Sequence, residues 1–285
     1  MHFEPSWRIL TVGDGDLSYS AAIAKHHKVA SITATTLDSE TVIREKYQDH
    51  AIDDLRALDI EPVFSADITD PRTWRERLKK SFDLVIFQFP LIPAIGSKQD
   101  YESGLSINLR NRRLLHLFLS HSEKFLLDDT GAGIACISSK DVKPYTEWNL
   151  ETAIAVHTGM NYVGKHPFEL SAFPGYLIRN VDRDKHVKQT KSFSYFWRRA
   201  GTDGQLPFET QQFQPLTGDN CQLCLAGPFT TEQEKDGHMN SRKHKNMAKF
   251  AKDWQDYLYS QYNDNDKSSR WKHLSPVVLG FLVSV

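Results

Sequence analysis

The feature that most constrains the fold is an alternation of short apolar runs with helical segments over residues 8–200. The predicted strands are apolar throughout, which is typical of a parallel sheet covered by helices on both faces. We therefore predict an α/β domain with a mostly parallel sheet. The predicted strands cover residues 8–12, 31–37, 61–66, 82–89 and 133–138, with 161–165 and 192–197 as candidates for the last two, and the predicted helices cover 17–25, 108–127 and 147–158.

Polar residues stand where four of these strands end. In open α/β sheets ligands bind beyond the carboxyl ends of the strands, so these positions are candidate ligand contacts. The candidate positions are Gly13, Asp14, Gly15 and Asp16 after the first strand, Asp38 after the second, Asp67 after the third, and Gln88, Phe89 and Pro90 at the end of the fourth.

The first loop, residues 13–16, indicates a cofactor with a ribose and a positive charge but no phosphate. Its glycines let the backbone approach a ligand closely. Its acidic residues would repel a pyrophosphate, and no third glycine completes a dinucleotide-binding motif. S-adenosylmethionine fits, with its sulfonium or ammonium facing Asp14 or Asp16. Asp38 would then accept a hydrogen bond from a ribose hydroxyl, and Asp67 one from the adenine amino group. The alternative interpretation of the first loop is a plain tight turn.

A second motif near the C-terminus combines a Cys-x-x-Cys knuckle with two histidines: Cys221, Cys224, His238 and His244. Four sulfur and nitrogen ligands suit tetrahedral zinc, so we predict one structural zinc ion here. Histidines six positions apart lie about 120° apart around a regular helix. Both imidazoles can reach one ion only if the helix bends or widens, which the middling helix formers at 240–241 make easier.

The finger segment, from Asn220 to about Phe250, resembles the matrin-type zinc finger, the double-stranded-RNA-binding variant of the Cys2His2 class. The resemblance implies a small ββα-like module that binds structured RNA through its shape and backbone. A finger used for protein contact is the alternative. The implied phosphate contacts are Arg242, Lys243, Lys245 and Lys249.

The stretch from Ile9 to about Trp197 resembles the 25S ribosomal RNA (uridine-N3)-methyltransferase family. The matching segments occur in family order, at residues 9–20, 34–39, 82–90, 111–115, 143–149, 173–176 and 192–196. The resemblance implies a Rossmann-like class I methyltransferase that uses S-adenosylmethionine and methylates an RNA base. It also implies that the segment Gln88-Phe89-Pro90 faces the acceptor and is catalytic.

Two departures from the family pattern concern this site. The first loop of the family usually reads Gly-Glu-Gly-Asp, and here Asp14 replaces the Glu. The fourth strand usually ends in Asn-Phe-Pro-His, and here Gln88 replaces the Asn and Leu91 the His. Leu91 removes an imidazole that could contact the substrate or accept its proton. A catalytically inactive RNA-binding protein therefore remains an alternative, and a small-molecule methyltransferase with an unrelated finger is a third.

Charge is distributed unevenly along the chain. The net charge of −1 argues against non-specific binding through the overall field. Residues 235–252 nevertheless hold six Lys or Arg against one Asp, and residues 179–199 hold seven against two. Such local excess is the footprint of a polyanion-binding face, and we expect structured RNA, ribosomal or transfer, as the partner.

Composition also bears on the compartment and the domain organisation. No apolar stretch approaches the roughly 18 residues of a membrane helix, so we expect no membrane association. The Cys-x-x-Cys pair points to a reducing compartment, cytoplasmic, or nuclear and nucleolar in a eukaryote. The oligomeric state stays open. We predict a methyltransferase domain over residues 1–198, a linker over 199–218, the finger and its helix over 219–262, and a tail over 263–285.

Overall fold

A computed structural model describes residues 2–92, 104–179 and 190–263. The chain forms two compact units, Met1–Phe213 and Gln214–Val285. Apart from Asn263, the predicted C-terminal tail lies outside the described residues.

The first unit contains a six-stranded sheet in the order β2-β1-β3-β4-β6-β5. The strands β1 to β4 pair in parallel, whereas β6 runs antiparallel between β4 and β5. This arrangement confirms the predicted α/β, Rossmann-like fold with a mostly parallel sheet. The strands are β1 Arg8–Val12, β2 Ser31–Ala34, β3 Leu84–Gln88, β4 Ile134–Lys140, β5 Met160–Pro167 and β6 Ser192–Arg199.

Among the α-helices of the described residues, Ser18–His26 and Ile107–His121 correspond to the predicted helices 17–25 and 108–127. The α-helices are α1 Ser18–His26, α2 Glu40–Lys46, α3 Ile52–Arg56 and α4 Ile107–His121 in the first unit, and α5 Glu232–Met239 and α6 Arg242–Asn263 in the second. The end of the predicted helix 108–127 is a π turn, Ser122–Leu126. Short 3-10 turns occupy Pro71–Thr73, Tyr145–Trp148 and Leu170–Ala172.

Both faces of the sheet are buried. Alternate residues of each strand point to opposite sides, so each strand contributes apolar side chains to both faces. Each fully buried aliphatic side chain contributes roughly 1.5–3 kcal/mol. The residues of β1, β3 and β4 on one face are Leu10, Val12, Val85, Phe87, Ala135 and Ile137, and those on the other are Ile9, Leu84, Ile86, Ile134 and Cys136.

The predicted strand 61–66 is only a bridge. Val63 pairs in parallel with Thr35 and donates its amide to the Ala34 carbonyl at 2.8 Å. Pro62 has no N–H to offer a ladder, which keeps this segment short. The segment still extends the sheet edge beyond β2.

The predicted helix 147–158 is wrong. A 3-10 turn is followed by a series of turns through residue 159. Asn149 and His157 both adopt left-handed backbone conformations, with φ of 51° and 62°. A left-handed residue cannot continue a right-handed helix, so the helical spacing of apolar residues here serves core packing without a helix.

Part of the predicted linker is ordered against β5. Gln211 exchanges two backbone hydrogen bonds with Lys165, at 2.7 and 3.0 Å. Thr210 donates its hydroxyl to the Val163 carbonyl at 3.1 Å, and the Phe208 ring lies 5.0 Å from that of Phe196. This segment covers the edge strand of the sheet, which would otherwise expose unpaired backbone groups.

Candidate functional site

The loop after β1 approaches the core so closely that only glycine fits at its first position. Gly13 has a φ of +62°, and a Cβ there would lie 2.8 Å from the Phe87 ring. Non-glycine residues avoid both that backbone conformation and that contact. The loop that the sequence singles out is therefore fixed against β3.

Asp14 is a buried carboxyl at the carboxyl edge of β1. Its Oδ2 accepts from the Ser20 amide at 2.7 Å and from the Ser20 hydroxyl at 2.5 Å. Burial, and after it the nearby Asp16, raise the pKa of Asp14 to about 7. No cation pairs with it among the residues that the structure describes.

Asp16 is buried as well, but its charge is matched within the chain. Its Oδ1 accepts from the Ser18 amide and hydroxyl at 3.0 and 2.6 Å. Its Oδ2 accepts from Arg179 Nε at 2.6 Å, and Arg179 also bonds Asp49. Of the two carboxyls predicted to face a cofactor cation, Asp14 is thus the better candidate.

Asp38 and Asp67 lie at the same edge of the sheet and are partly exposed. Asp38 Oδ2 is 3.4 Å from Lys46 Nζ. Asp67 Oδ1 accepts from the amide and hydroxyl of Thr69 at 2.8 and 2.7 Å. Leu37, the neighbour of Asp38, is a large apolar side chain that is 61% exposed.

Gln88 ends β3 with an amide that is buried and unsatisfied. Neither Oε1 nor Nε2 has a hydrogen-bond partner among the described residues. Such orphaned groups are rare in folded proteins because desolvation costs about 1–3 kcal/mol without a compensating bond. The Tyr176 hydroxyl lies beside the amide without a hydrogen bond of normal geometry, and its interaction with Gln88 partly offsets the rise in pKa that burial gives this phenol.

Phe89 follows in a left-handed backbone conformation with a φ of 48°. For a bulky residue this costs about 1–3 kcal/mol and is found mainly at functional sites. Its amide donates to the Ser138 carbonyl at 3.1 Å, and its ring lies edge-on to Phe168 at 5.2 Å. Beyond Pro90, the apolar Leu91 packs against the core.

Two tyrosines at this edge were missed as individual residues by the sequence analysis. Tyr19 and Tyr176 lie with their ring centroids 5.0 Å apart, and both are buried. The Tyr19 hydroxyl has no hydrogen-bond partner among the described residues. Burial is the main reason that the pKa values of both phenols are raised. The motif segments 9–20 and 173–176 were the signal that could have singled them out.

Four aromatic residues of the motif segments 82–90 and 143–149 are candidates for stacking on a ligand base, and they differ in exposure. Phe87 and Trp148 are buried in the core, at 8% and 1% exposure. Tyr145 is half-buried with its ring 4.9 Å from that of Trp148. Phe89 is also half-buried, which leaves Phe89 and Tyr145 as the candidates with accessible surface.

In the second unit, the four predicted zinc ligands come together. Their ligand atoms all lie within 4.8 Å of one another. Cys221 Sγ and Cys224 Sγ lie 3.5 and 3.6 Å from His244 Nδ1. A tetrahedral zinc ion with ordinary bond lengths places its sulfur and nitrogen ligands roughly 3.6 Å apart. His238 Nε2 is buried without a hydrogen-bond partner among the described residues, as an unfilled ligand atom would be.

The helix break between the two histidines is present. Helix α5 ends at Met239 and α6 begins at Arg242, with the hydroxyl of Ser241 accepting from the His244 amide at 3.1 Å. Phe229 packs on the small core of the finger, its ring 5.1 Å from that of His238. The four predicted phosphate-binding residues are all exposed on α6: Arg242, Lys243, Lys245 and Lys249.

Comparison with known proteins places the first unit in a family. Residues 10–180 match the BMT5-like rRNA (uridine-N3-)-methyltransferase family. This chain belongs to that family. Among the described residues, no helix is long and apolar enough to cross a membrane.

The curated relatives and solved structures described next share 30% sequence identity or less with this chain. Heavy metal-associated isoprenylated plant protein 41 of Arabidopsis thaliana is 30% identical over 184 residues, which is 64% of this chain and 34% of the relative. Ferredoxin-fold anticodon-binding domain-containing protein 1 of Homo sapiens is 26% identical over 217 residues, which is 72% of this chain and 32% of the relative. The chain thus spans about a third of either protein. The Methanococcus jannaschii fibrillarin pre-rRNA processing protein has 14% identity, a TM-score of 0.41 and 70% coverage of both chains.

Proposed function

We propose that this chain is an S-adenosylmethionine-dependent methyltransferase that acts on N3 of uridine in ribosomal RNA. Membership of the uridine-N3-methyltransferase family supports the reaction and the RNA class. The observation that carries the proposal is the end of β3, where a buried, unsatisfied Gln88 amide precedes the left-handed Phe89. Buried amides are normally hydrogen-bonded, so a bound polar ligand would supply the partner that this amide lacks.

The residues at the sheet edge fit the cofactor. The buried Asp14 carboxyl lacks a cation among the described residues, and a sulfonium or ammonium would supply one. Asp38 would hold the ribose, Asp67 the adenine amino group, and the exposed Leu37 an apolar face of the ring. When bound, S-adenosylmethionine supplies an electrophilic methyl group. The chain's own contribution is to orient the acceptor and exclude water.

The acceptor contacts would come from Gln88 and Phe89. An amide offers one acceptor and two donors, and the Watson–Crick edge of uracil presents carbonyl oxygens and an N–H. A base inside a duplex cannot reach the methyl donor, so it must leave its stack and find a new apolar contact. The half-buried ring of Phe89 lies next to the amide in sequence and is the candidate for that contact.

The finger would hold structured RNA. Burial raises the pKa of the Cys224 thiol to about 12, so the thiolate form needs a cation beside it, and zinc supplies that charge when bound. The ion would fix the knuckle against α6. The exposed basic residues Arg242, Lys243, Lys245 and Lys249 then form a phosphate-binding face. Ribosomal RNA as substrate fits a nucleolar or cytoplasmic location.

Leu91 supports a second candidate, an RNA-binding protein that keeps the fold without methylating. Leu91 stands where the family usually has a histidine, and here it packs against the apolar core. It can neither accept a proton nor hydrogen-bond a base. In this candidate the cofactor pocket would be retained from an active ancestor without serving methyl transfer.

The two candidates separate in one pair of measurements. Calorimetry with S-adenosylmethionine reports cofactor binding, and a tritiated-methyl assay on total RNA reports transfer. Binding together with RNA labelling, both reduced in Asp38→Ala, supports the enzyme. Binding without label in any RNA supports the inactive protein, and absence of cofactor binding contradicts the enzyme.

A further inference from the structure

A buried lysine stands at the carboxyl edge of the sheet beside the proposed acceptor site. Lys140 is the last residue of β4 and is only 8% exposed. Among the described residues it has no carboxylate partner. Lysine is almost never buried unless it is paired, because burying an ammonium ion is costly.

The register of the sheet brings Lys140 to the same face as Gln88. Gln88 pairs with Ser138, and paired residues on neighbouring strands point to the same side. Lys140 lies two residues beyond Ser138, so its Cβ starts from that side, and its amine lies at the strand end beside Tyr145. With a strand spacing of about 4.8 Å and a rise of about 3.3 Å per residue, the two Cα atoms lie roughly 8 Å apart. A lysine side chain can cross most of that distance.

The groups around the Lys140 amine are uncharged or already paired. The Tyr145 ring centroid lies 5.9 Å from Nζ, and burial raises the pKa of that phenol, which keeps it neutral. Ser192 is the cross-strand partner on β6. Asp141, the next residue, lies 3.4 Å from Lys191. No carboxylate of the described residues holds a proton on Nζ, and burial lowers the pKa of Lys140 from its ordinary value.

We propose that Lys140 is a catalytic base that takes the N3 proton of the bound uridine. This inference rests on the proposed function. A neutral Nζ accepts the proton from N3, and the electron pair left on N3 forms the bond to the methyl carbon. The bond between that carbon and sulfur breaks with its electron pair on sulfur, so S-adenosylhomocysteine leaves. The resulting Lys140 ammonium releases its proton to water.

The replacement of the family's usual histidine by Leu91 is the reason for assigning the proton to another residue. Where the family usually has an imidazole after Phe-Pro, this chain has a side chain that packs on the core. The N3 proton still has to leave for a methylated, uncharged uracil to form. Lysines with a lowered pKa serve as general bases in other sites. Lys140 lies on the neighbouring strand end and offers an amine for this task.

Two measurements test the role. In single turnover at neutral pH, Lys140→Gln should lower the methylation rate about 100-fold or more, the ordinary scale of general-base catalysis. The dissociation constants for S-adenosylmethionine and RNA should change less than about twofold. Lys140→Met serves as a second variant should the first fold poorly. The control is Lys80→Met, because Lys80 is a lysine paired with a carboxylate, Asp129, at 2.6 Å.

The second readout does not depend on turnover. In protein labelled with ¹³C at lysine Cε, the Lys140 resonance, assigned by its loss in Lys140→Gln, should titrate below the ordinary lysine pKa of 10.5. A wild-type rate in Lys140→Gln, or titration of Lys140 together with the exposed lysines, would overturn the role of Lys140 alone. Failure of the wild-type protein to form N3-methyluridine in any RNA would instead refute the proposed function.

Discussion

The pH dependence of cofactor binding offers a quantitative test of the proposed site, and we expect Asp14 to control it. Burial and the neighbouring Asp16 raise the pKa of Asp14 to about 7 from an ordinary value of 3.8. The folded chain therefore binds this proton more tightly than the unfolded chain. It follows that the contribution of Asp14 to the stability of the free protein falls as the pH rises from about 4 to about 7.

Binding of a cation reverses this preference. A sulfonium or ammonium next to the carboxyl favours its ionised form and lowers the pKa of Asp14 in the complex. If that pKa falls below about 5, the cofactor must displace a proton at every pH between about 5 and 7. With a free-state pKa of about 7, the affinity for S-adenosylmethionine should be about tenfold weaker at pH 6 than at pH 8.

Isothermal titration calorimetry in buffers of different ionisation enthalpy measures both the affinity and the number of protons released. Asp14→Asn should bind more weakly at pH 8 and show a flat affinity from pH 6 to pH 8. Asp38→Asn is the matched control: it should weaken binding by the same factor at each pH and keep the slope. An affinity that is independent of pH in the wild-type protein would refute the account of Asp14.

Three further predictions concern the frame of the site and the finger. Arg179→Met should destabilise the chain by about 3–5 kcal/mol in urea unfolding, because it leaves Asp16 charged and buried, and adding Asp16→Asn should recover part of the loss. Gly13→Ala should cost about 1–3 kcal/mol, since its Cβ would meet the Phe87 ring 2.8 Å away in a left-handed backbone, and an unchanged melting temperature would contradict that. Cys221→Ser should abolish zinc binding in a metal assay and raise the dissociation constant for structured RNA while leaving that for S-adenosylmethionine unchanged.

Much of the fold could be predicted because its strands are buried on both faces. The runs that became β1, β3 and β4 each hold consecutive apolar residues and are buried along almost their whole length, as a parallel core requires. The break between α5 and α6 was also predictable, since two histidines six positions apart cannot reach one ion from a straight helix. In both cases the sequence pattern and the tertiary constraint coincide.

The remaining features depend on contacts that a local pattern does not contain. The helix expected at 147–158 is absent because Asn149 and His157 take left-handed conformations, although the apolar spacing is helical. The ion pair between Asp16 and Arg179 joins residues that are 163 positions apart. No local motif indicates such a pair, and it is the reason that Asp14 is the carboxyl we propose for a cofactor cation.

The most direct test of the central claim is the position of a transferred methyl group. The purified chain would be incubated with S-adenosylmethionine carrying a deuterated methyl group and with unmodified ribosomal RNA, and the digested nucleosides would be resolved by mass spectrometry against synthetic standards. We expect the label in N3-methyluridine and its near absence with Gln88→Ala. Label confined to another nucleoside, or no label while the cofactor binds, would contradict the claim.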